Sequence, residues 1–259
     1  MCRSPLAVLV AVLLTTCAAA AAPPDAQTIM ERMKAALEPD RSSTRDIVMV
    51  THTNGERTQW TARQARKKLE DGKRMLTVLL APPDVKGFAL LIQERRNQDA
   101  DRQWLYLPYL RRVREILPLG TFESFLGTDF TTADLGFVDL RHRTFSLLGE
   151  EKLGNAATYK VQEVLKDPRY YSRIVTWVAT DSMLPLQREY YDVADRLWKL
   201  ERYENATVQG VPTPVRISME DKQTGNSTEL RASNVRYDVQ IPDQLFDPAR
   251  LPETVQQPF

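Results

Sequence analysis

The chain has 259 residues, 42% of them hydrophobic and 27% charged, the make-up of an ordinary globular protein. Lys and Arg number 35 against 34 Asp and Glu, a formal net charge of +1, so the basic excess typical of nucleic-acid binding is absent. The length suits one large β domain or two small ones.

The first residues read as a leader. Arg3 supplies a minimal positive start, Leu6 to Leu14 is an uninterrupted apolar run, and Ala18 to Ala22 offers small residues for cleavage. The run falls short of the roughly 20 residues that cross a bilayer as a helix. A secretory signal peptide over residues 1–22 is the reading, with a single domain over 23–259. Cys2 and Cys17 both lie in this leader, so a chain starting near Pro23 would hold no thiol, disulfide or cysteine metal site. Leu14-Thr15-Thr16-Cys17 is a degraded lipobox in which Cys17 would carry lipid, but Thr16 stands where Gly, Ala or Ser is usual. Export without disulfides fits the periplasm of a Gram-negative bacterium.

Asp25 can cap a helix from Ala26 to Leu37, whose Ile29, Met30, Met33, Ala36 and Leu37 recur at spacings of 3 and 4. Pro39 closes it. From Thr44 the rhythm changes to short strands parted by turn residues. Arg45 to Thr53 ends at Asn54-Gly55, a strong hairpin signal, and Glu56 to Lys68 follows with Trp60 and many basic residues expected on a solvated face. Asp71-Gly72 turns into Arg74 to Leu80, apolar on both faces and so expected to be covered on both sides. Pro82-Pro83 breaks the sheet before Gly87 to Gln93, and Asn97 to Asp101 is a polar turn.

Trp104 to Leu107 is a strand with Trp104 and Tyr106 on one face and Leu105 and Leu107 on the other; Pro108 should stop it at an edge or turn. Arg111 to Leu117 is a second run, ended by Pro118 and Gly120. Phe122, Phe125, Leu126 and Phe130 then follow without strand rhythm. Such a segment reads as a loop or short helix over an apolar surface, either a core plug or a functional lid. The remaining strands are Arg141 to Leu148, Ala157 to Lys166, Ser172 to Thr180, Leu186 to Asp192, Arg196 to Glu204, a run around Val215 to Glu220, and Ser227 to Tyr237. Leu245 and Phe246 are docking residues in a proline-rich tail. Hairpins in succession make an antiparallel meander of about ten or eleven strands, which must curl or split into packed sheets.

Catalytic chemistry is sparse. His52 and His142 lie far apart in polar surroundings and have no second ligand at metal spacing. Ser124, Asp129 and His142 could form a hydrolase triad only by spatial convergence. Asp99, Asp101, Asp129 and Asp134 are explained more cheaply by turns and caps. Arg111, Arg112 and Arg114 read as a solvated strand face or as a docking patch for an acidic partner or lipid head group. The positive signal is aromatic and apolar, spread over many strands and the central loop. It suits a sheet core, or a curved sheet enclosing an apolar ligand.

Several motifs together resemble the outer-membrane lipoprotein-sorting protein family, the LolA-like fold. They are DAQTIMERM in the first helix; Pro82, Lys86, Gly87, Leu90 and Leu91; WLYLP from Trp104; RVREI from Arg112; SFLGTDF from Ser124; PLQREYYD from Pro185; RLWKLERYE from Arg196; and PVRISMED from Pro214. The likeness covers essentially all of 23–259. It looks closest to the branch encoded beside lipid-exporting transporters of the MMPL/RND type. The resemblance implies a mainly β (α+β) fold, a single curved antiparallel sheet or half-open barrel of about eleven strands lidded by helices. It also implies a non-enzymatic, monomeric periplasmic carrier without cofactor, which takes acyl chains of a lipid or lipoprotein from an inner-membrane transporter of MMPL/RND or ABC type. The residues expected at cavity and lid are Trp60, Leu79, Phe88, Leu90, Trp104 and Tyr106, with Phe122, Phe125, Phe130 and Trp177. An envelope sensor or adaptor that docks a membrane protein is the second reading.

Overall fold

A computed structural model describes residues 23–95, 100–166, 168, 170–256 and 259. The leader expected over residues 1–22, the lipobox considered at Cys17, and Asp99 with most of its turn lie outside the described residues. Among those described, no helix is long and apolar enough to cross a membrane.

The chain begins with α1 (Ala26–Leu37), at the bounds that its cap and spacing predict. The Asp25 carboxylate accepts the Thr28 amide at 2.9 Å, satisfying one of the free N–H groups of the first turn. Twelve residues alone make a marginal helix. Its stability comes from Ile29, Met30 and Met33, all fully buried against Val161 and Val178. At ~1.5–3 kcal/mol per buried large side chain, that contact decides the helix's position.

Thirteen strands follow: β1 (Ser43–Thr53), β2 (Glu56–Leu69), β3 (Gly72–Ala81), β4 (Ala89–Gln93), β5 (Arg102–Leu107), β6 (Arg112–Ile116), β7 (Arg143–Leu153), β8 (Ala156–Leu165), β9 (Arg173–Ala179), β10 (Pro185–Tyr191), β11 (Leu197–Val208), β12 (Val211–Asp221) and β13 (Ser227–Tyr237). Every run marked out in the sequence is a strand. The expected ten or eleven falls short because five-residue runs such as Arg112–Ile116 pair over their full length. All belong to one sheet in the order β6-β5-β4-β3-β2-β1-β13-β12-β11-β10-β9-β8-β7, each pair antiparallel. The chain therefore starts at mid-sheet, walks out to β6, crosses to the far edge at β7, and walks back until β13 pairs with β1. Met49 stands opposite Leu230 at that seam.

Residues 117–142 make the crossing. Where helices were expected over the open side, this segment has one 3-10 turn, Pro118–Phe122, and otherwise irregular backbone. Pro118, Gly120, Gly127 and Gly136 deny it a longer helix, and Thr131 and Asp134 instead cap each other's amides at 2.9 and 3.0 Å. The lid is thus α1 plus this segment.

The half of the sheet from β2 to β5 is covered on both faces, as the two-sided apolar pattern of β3 requires. Its outer face carries Leu76, Val78, Leu91, Trp104 and Tyr106 beneath Ile241, Phe246 and Leu251 of the C-terminal tail. That tail closes with the single turn α2 (Leu251–Thr254). The turns are also as read. Asn54 and Gly55 both take positive φ, and a Cβ on Gly72 would stand 2.2 Å from the Glu94 carbonyl.

Candidate functional site: the lumen of the half-barrel

Strand alternation sends every second residue of the sheet inward. On the β1–β5 side the inner face carries Ile47, Met49, Trp60, Leu79, Leu90 and Leu105. Across the lumen stand Ile174, Tyr190, Ile217 and Met219. The crossing segment joins the two walls. Phe125 and Phe137 pack with Met49, Trp60, Met75, Leu90 and Ile92, whereas Phe130 packs with Tyr171, Ile174, Tyr190 and Met219. The aromatics of SFLGTDF therefore fill the lumen from its open side.

What remains is an apolar cavity of about 140 Å³, lined among others by Ile47, Met49, Leu90, Phe125, Ile217 and Leu230. A second, more polar cavity of about 220 Å³ lies beside Phe122, Gln103 and Tyr171. Asp134, Gly136 and Val138 of the crossing segment border both. Lifting that stretch would merge the two spaces.

The lumen is amphipathic. On the β8–β11 wall Glu163, fully buried, accepts from Arg188 Nη2 at 2.8 Å and Arg143 Nη1 at 3.0 Å. The Tyr190 hydroxyl donates to Glu201. Burial pulls the Arg188 guanidinium down, but the groups around it, Tyr190 and Glu163 foremost, outweigh this and hold it charged. Burial pushes the Glu201 carboxyl up, against the pull of Arg188 and Tyr190. On the opposite wall are Arg45 of β1 and Arg66 of β2, on the inner face. The basic residues of β2 are thus divided: Arg63 and Lys67 face outward, while Arg66 shares the face of Trp60, Ala62 and Gln64.

The ten residues expected at cavity and lid fall into three groups. Trp60, Leu79, Phe88 and Leu90 are on the inner face, and Leu90 borders the apolar cavity. Phe122, Phe125 and Phe130 are in the crossing segment; Phe125 and Phe130 border that cavity, and Phe122 stacks on Tyr170 at 5.3 Å beside the polar one. Trp104 and Tyr106 face outward under the C-terminal tail, because β5 directs Gln103 and Leu105 inward. Trp177 also faces outward: its indole N–H donates to Glu151 and Lys160 Nζ lies 4.7 Å over its ring. Sequence alone does not mark Ile47, Met49, Ile217 and Leu230, whose alternation is visible but whose inward sense is not. Nor does it mark Arg45, Arg66, Arg188 and Glu201.

Arg111, Arg112 and Arg114 are exposed at the β5–β6 turn and edge strand, and among the described residues none has an ion-pair partner. Ser124 donates to the Thr128 carbonyl at 2.6 Å, within the crossing segment's own turn, and Asp129 accepts from Thr228 of β13 at 2.7 Å, tying that segment to the sheet. Among the described residues no group of three or more His, Cys, Asp or Glu side chains could hold a metal ion.

A family model described only as that of an uncharacterized protein matches residues 71–253, well over half the chain. Among solved structures, a domain from Vibrio parahaemolyticus described as outer membrane lipoprotein-sorting superposes with a TM-score of 0.82 at 27% identity, covering 88% of this chain and 98% of that one. A DUF1329 family protein from Desulfovibrio piger gives 0.81 at 29% identity over 86% and 96%. A LolA superfamily protein from Nitrosomonas europaea shares the fold at 0.68 and 20% identity, over 87% and 98%. No curated protein matches the chain.

Proposed function

The chain belongs to the outer-membrane lipoprotein-sorting, LolA-like family, and on that premise we propose that it is a periplasmic carrier of acyl chains. One observation carries this reading. The lumen between two apolar sheet walls is plugged by aromatic side chains of one irregular segment, which is held at its ends by the two edge strands. Such side chains occupy apolar space that a lipid tail can take in their place. The remaining 140 Å³ is below the roughly 300–1,000 Å³ of ordinary ligand sites, so uptake requires the segment to lift.

Each methylene moved from water into such a space gains ~0.8 kcal/mol, enough for transport of a lipid or acylated protein without covalent chemistry. The carrier is non-enzymatic. It takes its cargo from an inner-membrane transporter, of MMPL/RND or ABC type, and releases it toward the outer membrane. The leader read at residues 1–22 supports export. The exposed, unpaired Arg111, Arg112 and Arg114 support docking at the membrane side of the exchange.

The test is native mass spectrometry of protein purified gently from the periplasm, with extraction of whatever lipid co-purifies. A stoichiometric lipid or acylated peptide is expected. It should be lost in Ala232→Trp, which fills the apolar cavity from β13 and leaves the walls uncharged. A protein that comes out empty and takes up no offered acyl probe would sink the carrier reading.

A further inference from the structure

Seven cationic side chains border one small recess of about 20 Å³ between β1, β2 and β3, near the C-terminal end of α1: Arg45, Arg66, Lys68 and Lys73 from the lumen face of the sheet, Lys67 and Arg74 from its outer face, and Arg41 from the segment before β1. Five of them are matched by carboxylates. Arg41 meets Asp238, Lys67 meets Asp243, Lys68 meets Asp40, Lys73 meets Glu38, and Arg74 meets Asp71. Among the described residues Arg45 and Arg66 have none. Arg66 spends its Nε on the Gln64 side-chain oxygen at 3.0 Å. Arg45 makes no hydrogen bond among the described residues, and its Nε is buried and unsatisfied.

The two are neighbours by register. Arg45 pairs with Gln64 and Ser43 with Arg66, so the guanidinium-bearing residues are diagonal on one face of the β1–β2 ladder. Burial weakens the charge on both: burial, and then the nearby Arg66, pulls Arg45 down to about 9, and burial lowers Arg66 as well. The carboxylate that acts on Arg66, Glu38, offsets only part of this burial and already serves Lys34, Lys73 and the Val138 amide. Two like charges held side by side and half-buried, with the Arg45 Nε fully buried, cost stability, and folded chains keep such an arrangement where something outside the fold balances it.

Position completes the argument. Arg45, Arg66 and Glu38 border both the apolar cavity and the cation-lined recess, so they stand where one gives way to the other. We propose that Arg45 and Arg66 bind the anionic head group, a phosphate, sulfate or carboxylate, of an amphiphile whose tail occupies the apolar cavity. This rests on the carrier reading and narrows it: the cargo is an anionic lipid or an acyl chain bearing an anionic group close to its root, and a neutral lipid is bound poorly. Two converging guanidiniums can chelate such a group with charge-assisted hydrogen bonds.

Calorimetric titration of the purified protein with 1-palmitoyl lysophosphatidate, 1-palmitoylglycerol and inorganic phosphate separates the possibilities. The lysophosphatidate is expected to bind about ten- to a hundredfold tighter than the glyceride of the same chain. In Arg45→Gln/Arg66→Gln the preference should vanish while glyceride binding persists, and in Arg45→Lys/Arg66→Lys much of it should return. The Gln pair should melt no lower than the parent, since it removes two like charges that have no ion pair of their own; a lower melting point with the preference intact would make the arginines structural and overturn the proposal. Equal binding of both amphiphiles would overturn the head-group site and leave the carrier reading standing. Phosphate binding without either amphiphile would keep an anion site and overturn the amphiphile. Binding of no probe would overturn both readings.

Discussion

Glu38 takes the backbone amide of Val138, and Lys34, one helical turn earlier on α1, donates to the Val138 carbonyl at 2.6 Å. Both hydrogen-bonding groups of a single residue in the crossing segment are thus held by the last turn of the helix. Lys34 also meets Glu38 at 3.0 Å and Glu94, at the end of β4, at 2.9 Å. Burial works against the charge on Lys34, but Glu38 and Glu94 more than offset it and hold its ammonium above the usual value. Val138 borders both cavities, so this clasp fixes the stretch that parts them.

The first prediction concerns that clasp. Glu38→Ala leaves the Val138 amide without its acceptor and Lys34 and Lys73 short of a carboxylate. The expected cost is about 3 kcal/mol, the scale for removing one partner of a buried charged pair. For a chain of this size it lowers Tm by about 6–12 °C. Amide hydrogen exchange should quicken between Ala133 and Val138 while β1–β3 stay protected. Unchanged exchange there would mean that the segment is held elsewhere.

The second concerns the plug. Phe125 is buried against Met49, Trp60 and Leu90 and borders the apolar cavity. Phe125→Ala should cost about 3–5 kcal/mol of stability. It should also tighten binding of an acyl probe, because part of the work of emptying the lumen has been done in advance. A variant that is less stable and also binds the probe more weakly would show that Phe125 contacts the ligand and does not compete with it.

Much of this architecture could be read from residue order alone. The Asp25 cap and the 3–4 spacing give α1 its bounds, Asn54-Gly55 gives a hairpin, and the two-sided apolar run of β3 demands the cover that Ile241, Phe246 and Leu251 provide. Alternation also separates Trp104 and Tyr106 from Leu105 correctly. It does not say which face is inward, and an aromatic pair under a tail looks the same as one in a lumen. Arg45 and Arg66 escape notice for a related reason: a lone Arg in a strand reads as solvated, and only the partners it lacks in three dimensions mark it out. The crossing segment has no period at all, so its path from edge to edge depends on contacts remote in sequence.

The third prediction is a pH dependence. Asp192, at the β10–β11 turn, accepts the amides of Ala194 and Arg196, each at 2.9 Å, together with Arg196 Nε at 3.0 Å and the Gln223 amide group at 3.1 Å. The Arg196 amide foremost, with the Gln223 and Arg196 side chains, draws its carboxyl down to about 2. A depressed carboxyl stabilises the fold above its unfolded value of 3.8, and that contribution fades as the pH drops from there toward about 2. The melting temperatures of the parent and of Asp192→Asn should therefore differ most near neutrality and converge in this acid window. A gap of constant size from pH 6 to pH 2 would show that the turn is held by neutral hydrogen bonding alone.

The last prediction concerns the rim. Tyr109 is 68% exposed and Leu110 53%, at the tip of the β5–β6 turn directly before Arg111 and Arg112. Arg112 and Arg114 pair across the ladder with Leu107 and Leu105, which places them on the lumen side of the edge strand. Apolar tips beside unpaired arginines fit the surface of an anionic bilayer, where each cation is worth about 1 kcal/mol and the aromatic sits at head-group depth. Arg111→Glu/Arg112→Glu/Arg114→Glu should weaken co-sedimentation with phosphatidylglycerol vesicles by at least about a hundredfold at low salt. Raising the salt should weaken the parent toward the variant, because exposed charges are screened within about 10 Å at 0.1 M. Acyl-probe binding in the lumen should be untouched, since the three side chains border neither cavity. If the variant sediments with vesicles as the parent does, the rim faces a protein or the solvent, and cargo exchange does not begin with this edge on the membrane.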